Sequence, residues 1–279
     1  MTQGGDGDGG RGTGGDRGDR GDRSGQAENT IDYETLAATY ARYRAASPHV
    51  LGYLQDVAKP YGHGARLLDV GCGTGDFVAA LGEALAPAGA LVCGFDRSEA
   101  MIGEARRKHP DVPLSRGEAE QTWPFAASSF DVVYSVNVIH YLRDLELVAY
   151  FGEAQRVLRP GGTIVTVTDS EEDIANRTMT KYFPETVPHE QARYHPVSRL
   201  QAAMRTVGFL EQRVGHTRRE GVMQTADLDS YRNRIFSSLR LISDEEFARG
   251  LARLKADYAA GRRDLVELYT YVCGVKSAL

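Results

Sequence analysis

From residue 31 onward, apolar residues recur at helical spacing. Leu36, Tyr40 and Tyr43 share one face, and Val50, Leu51, Leu54 and Val57 repeat the pattern before Pro60. Two helices are predicted there. The run RLLDV at 66–70 then reads as a strand, followed by a glycine turn and a helix through Phe77, Leu81 and Leu85 that stops at Pro87 and Gly89. A second strand is predicted at 91–95, with Ser98 capping a helix to about residue 108, and a third at 111–114. The buried run FDVVYSV at 130–136 gives a fourth strand. A helix at 145–158 and, after the turn Pro160-Gly161-Gly162, a fifth strand at 163–168 complete the series.

Strands alternating with helices imply an α/β fold with a parallel sheet covered on both faces, and ligands then belong at the carboxyl ends of its strands. The alternation lapses at 171–196, a polar stretch holding Tyr182, Phe183, His189, Tyr194 and His195. A helix at 197–207 and strands at about 209–217 and 268–275 follow, with a helical region at 227–260 between the two strands. Segments 171–196 and 220–265 are therefore predicted to cap the ligand end of the sheet.

Composition changes the picture mainly at the amino end. The chain has 279 residues and 31 glycines. Eleven of those glycines fall in residues 1–26, with five Asp and four Arg and the triplet GDR three times over. Such a stretch cannot bury enough apolar surface to offset the entropy of ordering it, so 1–28 is predicted to be a disordered tail. Residues 29–64 are predicted to form helices over the ligand site and 65–279 the core with its cap. The net charge of -5 argues against nucleic acid as a partner. No apolar run is long enough to span a bilayer and no basic-then-apolar leader begins the chain, so neither a membrane nor export is expected. Cys72, Cys93 and Cys273 form no CxxC pair, which predicts a reducing, cytoplasmic setting, core-filling cysteines and no metal.

The strongest local signal is LLDVGCGTGDF at 67–77. An apolar strand enters alternating glycines and then a helix, so backbone can approach a ligand at a helix N-terminus. A plain strand-to-helix corner would read the same way. A dinucleotide fingerprint would need GxGxxG, but its third glycine position is Asp76. Asp96, at the end of the next strand, stands where a carboxylate can accept both hydroxyls of a ribose.

The order DVGCGTGDF, GFDRSEAMIGEAR, GEAEQTWPFAASSFDVVYS and VLRPGGTIV resembles the class I S-adenosylmethionine-dependent methyltransferases, most closely the small-molecule, UbiE-like group. The motifs of the nucleic-acid amino and cytosine methyltransferases are missing. The resemblance implies a Rossmann-like, mostly parallel sheet with an antiparallel last strand and helical cap insertions, and S-adenosylmethionine as cofactor, released as S-adenosylhomocysteine. By position it implies that Asp69, Gly71, Gly73 and Gly75 cradle the methionine and ribose, and that Asp96 takes the ribose hydroxyls. Arg97 and Met101 then lie beside the adenine, Glu118 and Ala119 replace the family's usual Asp-Ala pair, and Asn137 faces the methyl donor. The segment YETLAATYARYR at 33–44 resembles the family's N-terminal helix, in which Tyr33, Tyr40 and Arg44 would close over the methionine carboxylate.

The cofactor carries the reactivity in such chemistry, and a base is needed only where a proton must leave. His140 is the leading candidate, with Tyr194 and His195 of the cap behind it. Trp123 reads as packing or an adenine-side wall. Arg213, Arg218 and Arg219 are candidates to hold an anionic substrate, against a default of a solvated strand end. The expected partner is a bulky, partly apolar metabolite, and the Gly-, Ala- and Arg-rich composition suggests a bacterial natural-product enzyme. Homo-oligomerisation through exchange of the 33–44 helix is open. Two competing readings are a nucleotide-dependent oxidoreductase and a non-catalytic protein that keeps the cofactor fold.

Overall fold

The computed structural model describes Met1 and residues 32–278, and the tail predicted at 1–28, with its GDR repeat, otherwise lies outside the described residues. Seven strands form one sheet: β1 (Arg66–Val70), β2 (Leu91–Asp96), β3 (Leu114–Arg116), β4 (Phe130–Val136), β5 (Leu158–Thr168), β6 (Glu211–Val222) and β7 (Asp264–Val275). Their spatial order is β3-β2-β1-β4-β5-β7-β6. β7 runs antiparallel to both of its neighbours, and the remaining pairs are parallel. This is the mixed sheet with an antiparallel last strand that the sequence resemblance implies.

The helices are α1 (Tyr33–Tyr43), α2 (Pro48–Ala58), α3 (Asp76–Leu85), α4 (Glu99–Lys108), α5 (Asp144–Val157), α6 (Glu171–Asn176), α7 (Thr178–Tyr182), α8 (Thr186–Arg193), α9 (Val197–Thr206), α10 (Thr225–Arg232) and α11 (Asp244–Ala259). The central strands are apolar at consecutive positions because both sheet faces are covered. In β1, Leu67 pairs with Val132 and Leu68 with Val133. Leu67 and Val132 pack with Val78 and Leu81 of α3 and Leu54 of α2, while Leu68 and Val133 pack with Tyr150 and Phe151 of α5 and Leu200 of α9.

Four predicted elements shift. β3 starts at Leu114 rather than 111, since Pro113 has no N–H and contributes only its carbonyl, which accepts from Gly94 N at 3.1 Å. Pro160-Gly161-Gly162 is a bulge inside β5: opposite β4, pairing passes from Phe130–Leu158 directly to Val132–Thr163. β6 and β7 are longer than predicted, so 220–222 and 264–265, assigned to the cap, are strand rungs ending at Val222–Asp264.

The polar stretch after β5 folds as α6, α7 and α8, and with α10 and α11 it has a core of its own. Met179, Tyr182, Phe183, Leu228, Tyr231, Leu239 and Leu254 pack together there. This layer starts at the carboxyl end of β5 and is tied to the adjoining end of β7, where Thr270 Oγ1 donates to Asp173 Oδ2 at 2.5 Å and Val266 N donates to Thr178 Oγ1 at 2.6 Å. Close approach of α11 depends on Gly250, where an added Cβ would lie 2.6 Å from Tyr182 O and against the Phe183 ring. Gly250→Ala is expected to cost about 1–3 kcal/mol by overpacking, read as a lower urea midpoint with an unchanged m-value.

Candidate functional site

At the end of β1 the chain turns through Gly71, Gly73 and Gly75, with φ values of 71°, 53° and 75°. These are left-handed conformations that side chains disfavour. The turn is anchored where Gly71 N and Cys72 N both donate to Phe95 O, at 2.8 and 3.0 Å. A Cβ on Gly71 would strike Val138 Cγ2 at 2.6 Å, whereas one on Gly73 would meet nothing within 4 Å. Gly73 therefore presents bare backbone to open space at the entrance to α3. Asp76, the first residue of α3, is occupied locally, accepting from Thr74 Oγ1 at 2.7 Å and pairing with Lys108 Nζ at 2.5 Å.

Asp96 closes the turn from β2. Its Oδ2 accepts from Gly73 N at 2.8 Å and its Oδ1 from Ser98 N at 2.9 Å, which leaves further lone pairs on a partly exposed carboxylate. Burial pushes its pKa above the ordinary carboxylate value, and the two backbone N–H groups oppose the shift. Asp69 is 2% exposed, and burial, reinforced by the charge of Asp96, raises its carboxyl well above the ordinary value. Ser98 Oγ caps α4 by accepting from Met101 N at 3.1 Å, placing Met101 next to this turn. Asn137 sits at the end of β4 with φ 56°, its N donating to Val167 O and its Oδ1 enclosed without a hydrogen-bond partner among the described residues.

The structure thus brings Asp69, Gly71, Gly73, Gly75, Asp96, Met101 and Asn137 to the carboxyl ends of β1, β2 and β4. Arg97 and Glu118 are exposed. Glu118 Oε2 accepts from Gln121 Nε2 at 2.8 Å, and Ala119 O accepts from Trp123 Nε1 at 3.0 Å. Trp123 itself belongs to the core beneath.

α1 lies along α4. Glu34 Oε2 accepts from Ala100 N at 3.1 Å at one end, and Lys108 Nζ donates to Ala41 O at 3.1 Å at the other. This places Tyr40 within reach of the charges of Arg44, Asp76 and Asp96, and burial raises its phenol pKa. Tyr33 Oη hydrogen-bonds Tyr141 Oη across to the turn after β4. The Arg44 guanidinium lies 5.6 Å from the Phe236 ring centroid and 6.0 Å from that of Tyr40, and it makes no ion pair among the described residues.

His140 is 5% exposed, and its ring stacks on Tyr194 with centroids 4.3 Å apart. Burial lowers its pKa well below the ordinary value, and the charges of Arg193 and Arg177 lower it further. Neither ring nitrogen has a hydrogen-bond partner among the described residues. These effects favour the neutral imidazole, with both ring nitrogens unengaged among the described residues. The other two candidates divide differently. Burial raises the Tyr194 phenol well above its ordinary value, so it keeps its proton and is suited to donate rather than to act as a base. His195 Nε2 bonds Leu142 O at 2.7 Å, which uses that nitrogen as a donor to fasten the start of α9 to the turn after β4.

Residues the sequence did not single out complete the surroundings. Tyr141 stands between Tyr33 and His140. Arg177 forms ion pairs with Asp169, at the end of β5, and with Glu190 of α8. Arg193 lies over the Tyr141 and Tyr194 rings. Asp169 had a signal, since it directly follows a central strand; Arg193 had none, because its role depends on where α8 docks. The arginines of β6 do not join this group: Arg218 pairs with Glu220 and Arg219 with Glu267, each at 2.6 Å, while Arg213 is exposed on the same outer strand. Among the described residues no three His, Cys, Asp or Glu side chains gather as metal ligands, and no helix is long and apolar enough to cross a membrane.

Residues 67–162 match the family model described as a methyltransferase domain. A demethylmenaquinone methyltransferase of Chlorobaculum parvum is 39% identical over 97 residues, covering 35% of this chain and 38% of the relative. The biotin biosynthesis bifunctional protein BioHC of Cellvibrio japonicus is 31% identical over 228 residues, covering 81% of this chain and 41% of the relative. The matched stretches thus span about two fifths of those relatives' own lengths. Among solved structures, one from Anabaena variabilis, assigned to methyltransferases of an antibiotic biosynthesis pathway, superposes with a TM-score of 0.65 at 23% identity, covering 83% of this chain and 98% of that one. Phosphoethanolamine N-methyltransferase 2 of Haemonchus contortus, solved with S-adenosylhomocysteine and phosphomonomethylethanolamine, gives a TM-score of 0.56 at 22% identity, covering 88% of this chain and 57% of that one.

Proposed function

We propose that the chain is a class I S-adenosylmethionine-dependent methyltransferase and that the whole protein methylates a small-molecule metabolite, a reading supported by the matched methyltransferase domain, the similar stretches of its relatives and the shared fold. The observation that carries the reading is the paired use of Asp96 and Gly73. One carboxylate is locked by the backbone of the glycine turn at the point where that turn offers bare backbone to open space. The residues present fit the cofactor. Asp96 keeps acceptor capacity for two ribose hydroxyls, Met101 would lie against the adenine, and Arg44, which makes no ion pair among the described residues, would meet the methionine carboxylate. Asn137 Oδ1 is a buried acceptor without a donor among the described residues. Asp76 argues against a dinucleotide, because its carboxylate stands at the α3 N-terminus where a pyrophosphate would have to lie.

S-adenosylmethionine supplies a methyl group on a sulfonium, whose transfer is an in-line displacement. The chain's part is alignment and exclusion of water. Tyr33 and Tyr141 bridge α1 to the turn after β4 and close the site on that side. His140 takes the proton of the nucleophile, its neutral state kept by burial and by Arg193. The helical layer, with its own apolar core beside the carboxyl ends of the strands, supports a bulky, partly apolar substrate of the natural-product kind.

The test is to incubate the full chain with S-adenosylmethionine labelled in the methyl group and a bacterial metabolite extract. Label is expected in the small-molecule fraction and lost with His140→Gln. Label confined to protein or RNA would overturn the small-molecule reading.

A further inference from the structure

Arg193, the last residue of α8, differs from the paired arginines around it. Its Nη2 donates to Ser237 Oγ at 3.0 Å, while Nε and Nη1 are enclosed with no hydrogen-bond partner among the described residues. Its guanidinium carbon is 5.4 Å from the Tyr141 ring centroid and 5.7 Å from that of Tyr194. His140 stands against the same two rings, at 4.1 and 4.3 Å between centroids. The candidate base and the unpaired cation therefore share one aromatic-walled space.

Enclosed N–H donors are costly unless an acceptor meets them. The nearby carboxylates form no ion pair with Arg193 among the described residues. Asp169 bonds Arg177, and Glu190 Oε1 accepts from both Arg177 and Ser238. Glu190 Oε2 has no hydrogen-bond partner among the described residues, yet it forms no ion pair with Arg193. Arg240, in the same helical turn as Ser237, adds a third enclosed donor without a partner among the described residues, Nε. The charged side chains that lower the His140 pKa include two arginines, Arg193 and Arg177.

We propose that Arg193 binds an oxyanion of the substrate, a carboxylate or a phosphate, beside His140. The inference rests on the methyltransferase reading and names the substrate class for that site. A guanidinium fork matches either group. Bound charge would also offset the repulsion that Arg193 exerts on His140, so the imidazole becomes a stronger base when the substrate is in place. Because the donors are enclosed, the oxyanion reaches them only as Tyr141 and Ser237 move aside.

Saturation-transfer NMR on the full chain with S-adenosylhomocysteine tests this, using benzoate, phenyl phosphate and neutral benzyl alcohol as probes. At least one anion is expected to bind about tenfold or more tightly than benzyl alcohol, and the stronger of the two identifies the group. Arg193→Gln is expected to remove that preference while still binding S-adenosylhomocysteine. Arg193→Lys, which keeps the charge and loses the fork, is expected to retain part of it and serves if the glutamine variant does not fold. No anion preference in the wild-type chain, or one unchanged in a folded Arg193 variant, overturns the proposal. Failure of the wild-type chain to bind S-adenosylhomocysteine would instead overturn the methyltransferase reading.

Discussion

Asp96→Ala is expected to weaken binding of S-adenosylhomocysteine at least a hundredfold. The carboxylate would accept two ribose hydroxyls, and at about 1.5–3 kcal/mol for each charged hydrogen bond the loss is roughly 3–6 kcal/mol, or about two to four decades in Kd. The variant also frees Gly73 N and Ser98 N, which Asp96 now holds at 2.8 and 2.9 Å, so the glycine turn loses its tether to β2. Asp96→Asn is no rescue. Both carboxyl oxygens accept from N–H groups, so the NH2 of an asparagine must face one of two donors. Titration calorimetry reads the loss, and circular dichroism separates it from unfolding.

His140→Gln is expected to lower kcat by roughly 10² to 10⁴ if the nucleophile must lose a proton, with cofactor binding unchanged. The pH dependence carries a sign. Burial and the Arg193 charge depress the imidazole below its ordinary value of 6.5, so it stays neutral and basic beneath that pH. The acid limb of kcat is then expected below pH 6.5, and absent in the variant. Stability follows by linkage. The unfolded chain takes up a proton as pH falls through 6.5 while the folded chain does not, so folding stability declines from there down to the folded pKa. Urea midpoints for wild type and His140→Gln should diverge on acidification, the wild type losing more. An acid limb at or above pH 6.5 that persists in the variant would remove His140 from the role of base.

The sheet was legible because its signals are local. Leu67-Leu68 and Val132-Val133 are consecutive apolar pairs in short runs bounded by turn residues, as a strand covered on both faces requires, and Ser98 caps α4 as its position suggests. The glycine turn and Asp96 were equally plain, since each sits at the end of such a strand. The short helices α6 to α8 were not, although Ser170 and Asp173 form a reciprocal cap that the sequence contains as S-x-x-D. Five to eight residues carry too little periodicity to register. The Arg193, Tyr141 and Ser237 group was illegible for another reason: its members come from three separate segments and meet only when α8 packs against the turn after β4 and the turn before α11.

The most direct test of the central claim is titration calorimetry of the full chain with S-adenosylhomocysteine and, in parallel, with NADH. Saturable one-to-one binding of S-adenosylhomocysteine, lost in Asp96→Ala, is expected, with no binding of NADH. A folded chain that binds NADH and gives no heat with S-adenosylhomocysteine would contradict it.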